Sequence, residues 1–367
     1  MNCHSETCGQ FLVIGIPGPG LDRDLEQLIQ AVRPGGFVLF SRNLETPEQT
    51  ARLVVRLHQL SEQRPFIMID EEGGRVSRLR KLGIRSVGAK RLSLAGDPEL
   101  VERQAAITAS LLRLLGIHMN LAPVLDLCLG SDRDDGTLRG RCWGESPGQV
   151  LHLADVYRHS LRRGGVLACA KHFPSYTGAA CDPHEDLPSL RGRLGDKLER
   201  ELLPWINLLS EMDAVMTAHV LLPDEDPPVL DPASLAPSVV TSFLRLQLGF
   251  EGVVLSDDLE MGAIRNRYCP GDAAAACIAA GSDLALLCHD PELAPEACRA
   301  LAEVPRPQRD DAERRLRSLR RKLREPEPFS LEKWRVLVDQ ASILDDLVPG
   351  TDELSGTASG PGFVDQT

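Results

Sequence analysis

The sequence predicts an α/β protein built as a single (β/α)8 TIM-type barrel, followed by C-terminal helices and a disordered tail. Three observations lead to this fold class. Eight short runs are almost wholly apolar, as in strands that are buried on both faces of a parallel sheet. Helix-start and helix-stop signals lie between these runs. Polar side chains follow several of the runs directly, where a barrel collects its catalytic groups.

The eight strand candidates recur over about 300 residues of the chain, which suits a barrel. They occupy residues 11–16, 37–40, 66–69, 118–124, 166–170, 214–218, 252–255 and 284–288. Two doubly wound sheets are the alternative, but no Gly-x-Gly-x-x-Gly motif follows the first strand. Five polar residues come just after strand candidates, and we expect them to meet at one end of the barrel. They are Asp70, Lys171, His172, His219 and Asp257.

Helix starts are marked by a capping side chain directly before a proline, at Thr46, Asp97, Ser146 and Asp290. Beyond the strands, residues 309–324 predict a basic amphipathic helix. Packing against the barrel explains this helix better than nucleic-acid binding does. Residues 331–347 predict one further helix, and the final stretch is rich in Gly, Ser and Asp. We therefore divide the chain into a catalytic barrel domain (1–325), a helical extension (326–348) and a disordered tail (349–367).

Composition excludes several classes of protein. The net charge of −12 argues against nonspecific binding to nucleic acid or to anionic membranes. The N-terminus shows no signal-peptide pattern, and no apolar run approaches the roughly 20 residues of a membrane span. The ten cysteines form no Cys-x-x-Cys pair, and several lie inside apolar runs. We expect a cytoplasmic protein with reduced cysteines, no structural zinc, no other metal and no cofactor.

Asp257 is the carboxylate with the clearest functional pattern, because it ends the apolar run Gly-Val-Val-Leu-Ser. It fits a nucleophile and a helix N-cap about equally well. Lys171 fits three roles: a Schiff-base lysine, a hydrogen-bond donor to a polar substrate, or a structural partner of Asp70. His172 and His219 are better explained as core or substrate-contacting histidines than as metal ligands, since no acidic cluster accompanies them.

Asp182 and His184 lie two residues apart in a predicted loop. In an extended conformation both side chains project to one side, so the carboxylate can hold the imidazole through a ring N–H. Such a pair can donate and accept a proton near neutral pH, although Asp-x-His in a loop usually has no function. Arg78 follows the Gly73–Gly74 turn, and Arg141 precedes a helix start. Both fit a site at the barrel mouth, and both also fit ordinary surface arginines.

Taken together, these segments resemble glycoside hydrolase family 3, in its short single-barrel β-N-acetylhexosaminidase branch. GGFVLFSRNLETPEQT is similar to the second strand and loop of that family, and IDEEGGRVSRL to its D-[QE]-E-G-G-R-V-x-R segment. RCWGESP resembles its R-S-F-G-x-D-P. VMTAHVLLP and LRLQLGFEGVVLSDDLEMGAI resemble its last catalytic segments. The matches run in order through roughly residues 10–300.

The resemblance implies a retaining β-N-acetylglucosaminidase that acts on the end of muropeptide or chitin-type fragments. Asp257 would be the nucleophile, and His184, oriented by Asp182, would be the general acid and then the general base. The sugar hydroxyls and the N-acetyl group would be held by Asp70, Arg78, Arg141, Lys171, His172 and His219. The expected partner is therefore an N-acetylglucosamine-containing saccharide, whereas the oligomeric state stays open.

One segment departs from the family pattern. The family reads K-H-F-P-G-H-G-D-T before D-S-H, whereas here Ser175, Tyr176, Thr177, Gly178 and Ala179 replace G-H-G-D-T. The spacing from Lys171 to Asp182 is kept, so the proposed proton shuttle remains. Three alternatives stay open: a β-N-acetylglucosaminide phosphorylase, another β-glycosidase specificity such as β-glucosidase, and a catalytically weakened barrel that only binds sugar.

Overall fold

The centre of the molecule is a closed barrel of eight parallel strands, which confirms the predicted fold class. The computed structural model describes residues 8–129, 136–179 and 181–352. The strands are β1 (Leu12–Gly15), β2 (Gly36–Leu39), β3 (Phe66–Ile69), β4 (Glu71–Gly73), β5 (Val76–Ser77), β6 (Met119–Asn120), β7 (Leu167–Phe173), β8 (Ala214–Thr217), β9 (Val253–Asp258) and β10 (Leu284–Leu287). β4 and β5 form a separate antiparallel ribbon, while the others close the barrel in chain order.

Helices surround the barrel. The α-helices are α1 (Arg23–Val32), α2 (Pro47–Leu60), α3 (Ala89–Ala95), α4 (Pro98–Leu114), α5 (Pro147–Arg163), α6 (Leu203–Leu208), α7 (Gly262–Arg265), α8 (Pro270–Ala279), α9 (Ala294–Ala302), α10 (Arg306–Arg320) and α11 (Leu331–Leu347). A π-helix spans Ser238–Gln247. Thr46, Asp97 and Ser146 cap α2, α4 and α5 as predicted, each accepting a backbone N–H through its side chain. None of the described helices is long and apolar enough to cross a bilayer.

Three strands differ clearly from their predicted bounds. The fourth barrel strand was expected over 118–124, but only Met119–Asn120 pairs regularly, because Pro123 has no N–H to continue the ladder. The fifth, β7, continues through Lys171 and His172, which were expected to follow it. Asp257 likewise lies inside β9. These polar residues can occupy strand positions because each side chain has charged or hydrogen-bonding partners inside the barrel mouth.

The C-terminal helix packs on the outside of the barrel, against α4 and α2. It spans the predicted residues 331–347. Arg91 of α3 holds the segment beyond it, donating to the backbone oxygens of Val348 and Pro349 and to the carboxylate of Asp352. Of the predicted tail, residues 349–352 lie at this contact, and residues 353–367 lie outside the described part.

Cys128 and Cys142 are joined by a disulfide, so the expectation of reduced cysteines is wrong for this pair. The two lie 14 residues apart, without a spacing that marks a redox or metal motif. Only the fold of the connection between β6 and α5 brings them together. Seven other cysteines of the described chain are free, and five of these are buried.

Candidate active site

The carboxyl ends of the parallel strands bring most of the predicted site residues to one mouth of the barrel. Asp70 follows β3, Lys171 and His172 lie near the end of β7, and Asp257 lies near the end of β9. His219 lies two residues beyond β8. The site is therefore assembled from segments almost 190 residues apart, because all these strands point the same way.

Four charged groups form one side of the site. The ammonium of Lys171 lies 2.5 Å from Asp70 Oδ1 and 2.6 Å from Glu72 Oε1. Arg141 donates to both oxygens of Glu72, from Nε at 2.9 Å and from Nη2 at 2.8 Å. Burial would raise the pKa of Glu72, but the charges of Arg141 and Lys171 hold it well below its ordinary value. The cluster is thus a buried set of two cations and two anions.

His172 connects this cluster to the centre of the site. Arg141 Nη2 lies 3.3 Å from His172 Nε2, and since a guanidinium can only donate, this nitrogen accepts. The other ring nitrogen, Nδ1, then donates to Asp126 Oδ2 at 2.8 Å. Burial opposes the charge on Asp126, but hydrogen bonds from His172, Ser175 and the Tyr176 N–H lower its pKa. The imidazole is therefore fixed in one tautomer and orientation.

Asp257 is held by one hydrogen bond to each carboxylate oxygen. The Tyr176 hydroxyl donates to Oδ2 at 2.9 Å, and the Asp258 N–H donates to Oδ1 at 2.9 Å. Burial alone would raise the pKa of Asp257, but the imidazoles of His172 and His219 and these two hydrogen bonds lower it. An aspartate kept ionised beside positively polarised groups is a competent nucleophile.

Both ring nitrogens of His219 are bonded to the protein. Nε2 lies 3.0 Å from the Asp258 carbonyl oxygen, which can only accept, so Nδ1 accepts from the hydroxyl of Ser234 at 2.7 Å. Burial lowers the pKa of this fully buried imidazole. This arrangement favours a supporting role behind Asp257 over a direct contact with a sugar hydroxyl.

The Asp182–His184 pair is formed, although not by an extended segment. The Asp182 carbonyl accepts from Glu185 N–H and Asp186 N–H in a tight turn, and Asp182 Oδ1 accepts from His184 N–H. The same oxygen lies 2.7 Å from His184 Nδ1. Burial would raise the pKa of Asp182, but its bonds to His184 lower it. The side chain of His184 is 47% exposed.

The turn that carries this pair is docked on the segment that follows β9. Gly262 N–H donates to the His184 carbonyl at 3.2 Å, and Ala263 N–H donates to the Pro183 carbonyl at 3.0 Å. A Cβ on residue 262 would lie 2.6 Å from the His184 carbonyl oxygen, so only glycine allows this approach. The turn that carries the Asp182–His184 dyad is therefore hydrogen-bonded to the segment that begins five residues after Asp257.

Arg78 packs on the ring of Phe40, which follows β2. Its guanidinium carbon is 5.3 Å from the ring centroid of Phe40, which Arg42 approaches to 4.6 Å. His289 stacks on the same ring, with centroids 5.9 Å apart. No group of three or more His, Cys, Asp or Glu that could hold a metal ion occurs in the described ranges.

Comparison with known proteins shows the family of this chain. The family model "Glycosyl hydrolase family 3 N terminal domain" matches residues 5–319. The chain belongs to glycosyl hydrolase family 3. It is 33% identical over 337 residues to a β-hexosaminidase of Methylococcus capsulatus, covering 90% of this chain and 98% of that one.

Solved structures of the family superpose on the whole described fold. A family 3 β-N-acetylglucosaminidase from Paenibacillus sp. FPU-7 matches with a TM-score of 0.82 and 33% identity, over 94% of this chain and 69% of that one. A fungal multi-domain family 3 β-N-acetylglucosaminidase matches with a TM-score of 0.88 and 27% identity, over 95% of this chain. This chain spans only 43% of that longer protein.

Three residues of this family 3 site were not predicted: Glu72, Asp126 and Tyr176. Glu72 stands third in a run of consecutive acids, and nothing in the sequence shows which of them points into the barrel. Asp126 did carry a signal, since it is an acid shortly after the fourth strand. Tyr176 lies in the segment that departs from the family motif, so the resemblance gave it no role.

Proposed function

We propose that this family 3 member is a retaining exo-β-N-acetylglucosaminidase, with Asp257 as nucleophile and the Asp182–His184 pair as proton shuttle. The observation that carries the proposal is the docking of the dyad turn on the segment after Asp257. This docking supports a reaction in which an ionised carboxylate and an oriented imidazole act at one barrel mouth. Retention needs one nucleophile and one group that first gives and then takes a proton.

In the first step, the Asp257 carboxylate attacks the anomeric carbon while the His184 imidazolium gives its Nε2 proton to the glycosidic oxygen. The bond to the leaving group breaks, and a glycosyl ester of Asp257 forms. In the second step, neutral His184 takes a proton from water, whose oxygen attacks the anomeric carbon and releases Asp257. Asp182 accepts from Nδ1–H throughout and so keeps Nε2 facing the reaction.

The charged cluster supports a sugar-binding role for the other side of the site. Asp70, Lys171 and Arg141 offer acceptors and donors for hydroxyl groups and an acetamido group, and Glu72 holds the two cations in place. Both ring nitrogens of His172 are bonded to the protein, so we assign it to the support of this surface. We assign Arg78 to the Phe40 side of the mouth. The names of the β-hexosaminidase and β-N-acetylglucosaminidase relatives support N-acetylglucosamine as the sugar, and we propose muropeptide or chitin-type fragments as its source.

Turnover of an activated aryl N-acetyl-β-glucosaminide tests the function. Wild-type protein should release the β-anomer first, and Asp257→Ala should abolish turnover. His184→Ala should lose most activity on poor leaving groups and little on activated ones, which need no protonation. Asp258→Asn is the matched control, because it lies next to the nucleophile but bonds to His289 and to backbone N–H groups. No hydrolysis by the wild-type protein, or full turnover by Asp257→Ala, would refute the proposal.

The same assay with added phosphate separates hydrolysis from phosphorolysis. A neutral histidine repels an incoming anion less than a carboxylate does, so a phosphorylase is the second candidate. Formation of a sugar 1-phosphate at the expense of free sugar would select it. Sugar binding without any turnover would select the weakened barrel.

We further propose a cytoplasmic location and a catalytic unit of residues 1–325, with 326–348 as a docked extension. Contacts of α11 with α4 support the second point. The free cysteines support the first, whereas the Cys128–Cys142 disulfide opposes it, because disulfides are rare in the cytosol. Alkylation of the thiols in intact cells before lysis would show whether this pair is oxidised where the protein works.

A further inference from the structure

Tyr176 lies in the segment that departs from the family motif, yet it contacts the proposed nucleophile. Its side chain is buried, with 3% of its surface exposed. The phenolic oxygen accepts from the backbone N–H of His219 at 2.9 Å, and it lies 2.9 Å from Asp257 Oδ2. A carboxylate can only accept, so the phenolic proton is directed to Asp257. Burial and the charge of Asp257 raise the pKa of Tyr176 and keep that proton in place.

The position of the phenol is fixed by the same carboxylate that fixes His172. Asp126 Oδ1 accepts from the Tyr176 N–H at 2.8 Å and from the Ser175 hydroxyl at 2.7 Å. Its other oxygen accepts from His172, whose ring lies 4.7 Å from the ring of Tyr176. Thr177 continues this anchoring through two hydrogen bonds to the backbone of Leu127. The residues that replace the family motif are therefore joined by hydrogen bonds into one structure beside Asp257.

We propose that Tyr176 is a positioning residue for the nucleophile, whose hydroxyl orients Asp257 and stabilises its carboxylate as it leaves the sugar. The inference rests on the proposed retaining mechanism. In that mechanism the charge of Asp257 is lost when the glycosyl ester forms and returns when the ester bond breaks. A hydrogen bond to an ionised acceptor is stronger than one to a neutral ester. The phenol therefore favours the second step, in which water replaces Asp257.

Tyr176→Phe tests this role, because it removes the hydroxyl and keeps the ring against His172. On a substrate with a good leaving group, kcat should fall about ten- to hundredfold, as expected for a lost hydrogen bond to a charged group. The KM should fall with it, because the glycosyl-enzyme accumulates, and mass spectrometry should detect this ester. The acid limb of kcat/KM should move to higher pH, since Asp257 loses a donor to its charged form.

Tyr157→Phe is the matched control. Tyr157 is also buried, and its hydroxyl also makes two hydrogen bonds, to the Glu71 carbonyl at 3.2 Å and from the Asn120 amide at 3.3 Å, but it does not touch Asp257. This variant should keep the wild-type kcat, KM and pH profile. Tyr176→Phe kinetics that match those of Tyr157→Phe, or a lower kcat with unchanged KM and no accumulated ester, would overturn the proposal.

A fluorinated tyrosine at position 176 provides a second test that hardly changes packing. Fluorination makes the phenol a stronger donor, so the acid limb should move to lower pH, opposite to the phenylalanine variant. An acid limb that does not move would overturn the proposal even where Tyr176→Phe fails to fold. Failure of the enzyme assignment itself would be visible separately, as absent wild-type turnover or an active Asp257→Ala variant, and would remove both conclusions.

Discussion

Replacing Glu72 by Gln should destabilise the fold far more than the same change at its neighbour Glu71. Glu72 is the buried partner of Arg141 and Lys171, and its loss removes the carboxylate that both cations contact directly. Removing one member of a buried ion pair costs about 3–5 kcal/mol. With an unfolding entropy of roughly 2.1 cal/mol/K per residue, the Tm should fall by about 4–6 °C.

Glu71 is an unusually close control. It is fully buried, but it bonds to the Ser77 hydroxyl and the Leu79 N–H, and burial raises its pKa. A glutamine can keep these bonds, so Glu71→Gln should cost about 1 kcal/mol or less. Urea unfolding at pH 7 compares the two variants. A difference below about 1 kcal/mol between them would refute the view that the cations depend on Glu72.

The pH dependence of this comparison has a defined sign. The pKa of Glu72 is lowered by folding. Its contribution to the free energy of unfolding is therefore complete above the ordinary pKa of 4.5 and is lost as the pH falls toward the folded-state pKa. The pKa of Glu71 is raised, so its contribution is present below 4.5 and is lost as the pH rises through its folded-state pKa. The difference in the free energy of unfolding between the two variants should therefore be largest at neutral pH and smaller in acid.

Three further predictions concern the site and the loop beside it. Gly262→Ala should displace the dyad turn and lower kcat at least about tenfold on substrates with poor leaving groups, but little on activated substrates. Gly148→Ala is the control and should leave kcat unchanged, because an added Cβ there meets nothing within 4 Å. Cys128→Ser should lose about 2–4 kcal/mol of stability in urea unfolding and become insensitive to dithiothreitol, while the wild type loses the same amount on reduction. The acid limb of kcat/KM should lie below 3.8, the ordinary aspartate value, because the pKa of Asp257 is lowered; a limb well above it would contradict the described environment.

The barrel could be predicted because apolar runs and helix caps are local signals. The polar residues that follow strands were placed correctly at one mouth, since parallel strands must end together. The side-chain partners could not be predicted in this way. Glu71 and Glu72 are identical neighbours in the sequence, yet one bonds to the β4–β5 ribbon and the other to Arg141. Their difference arises from the direction in which each side chain leaves the backbone.

Two other contacts were predicted wrongly or missed for the same reason, because side-chain partners leave no local pattern in the sequence. The Asp182–His184 contact was predicted through an extended segment, but the turn at Asp182 produces it with different backbone bonds. The Cys128–Cys142 pair was missed because its spacing matches no motif that marks a redox or metal site. Contacts made by chain paths between strands carry no periodic signal, whereas the strands themselves do.

The carboxylate of Asp126 serves as a common anchor for His172, Ser175 and Tyr176, and this restricts how the sequence can diverge. A change at any one of these positions alters the hydrogen bonding of the others, so single substitutions there should be strongly non-additive. Segment 175–177 would then be exchanged between relatives as one block, together with position 126. Attempts to alter sugar specificity at this end of the site are better directed at whole-block replacements than at point mutations.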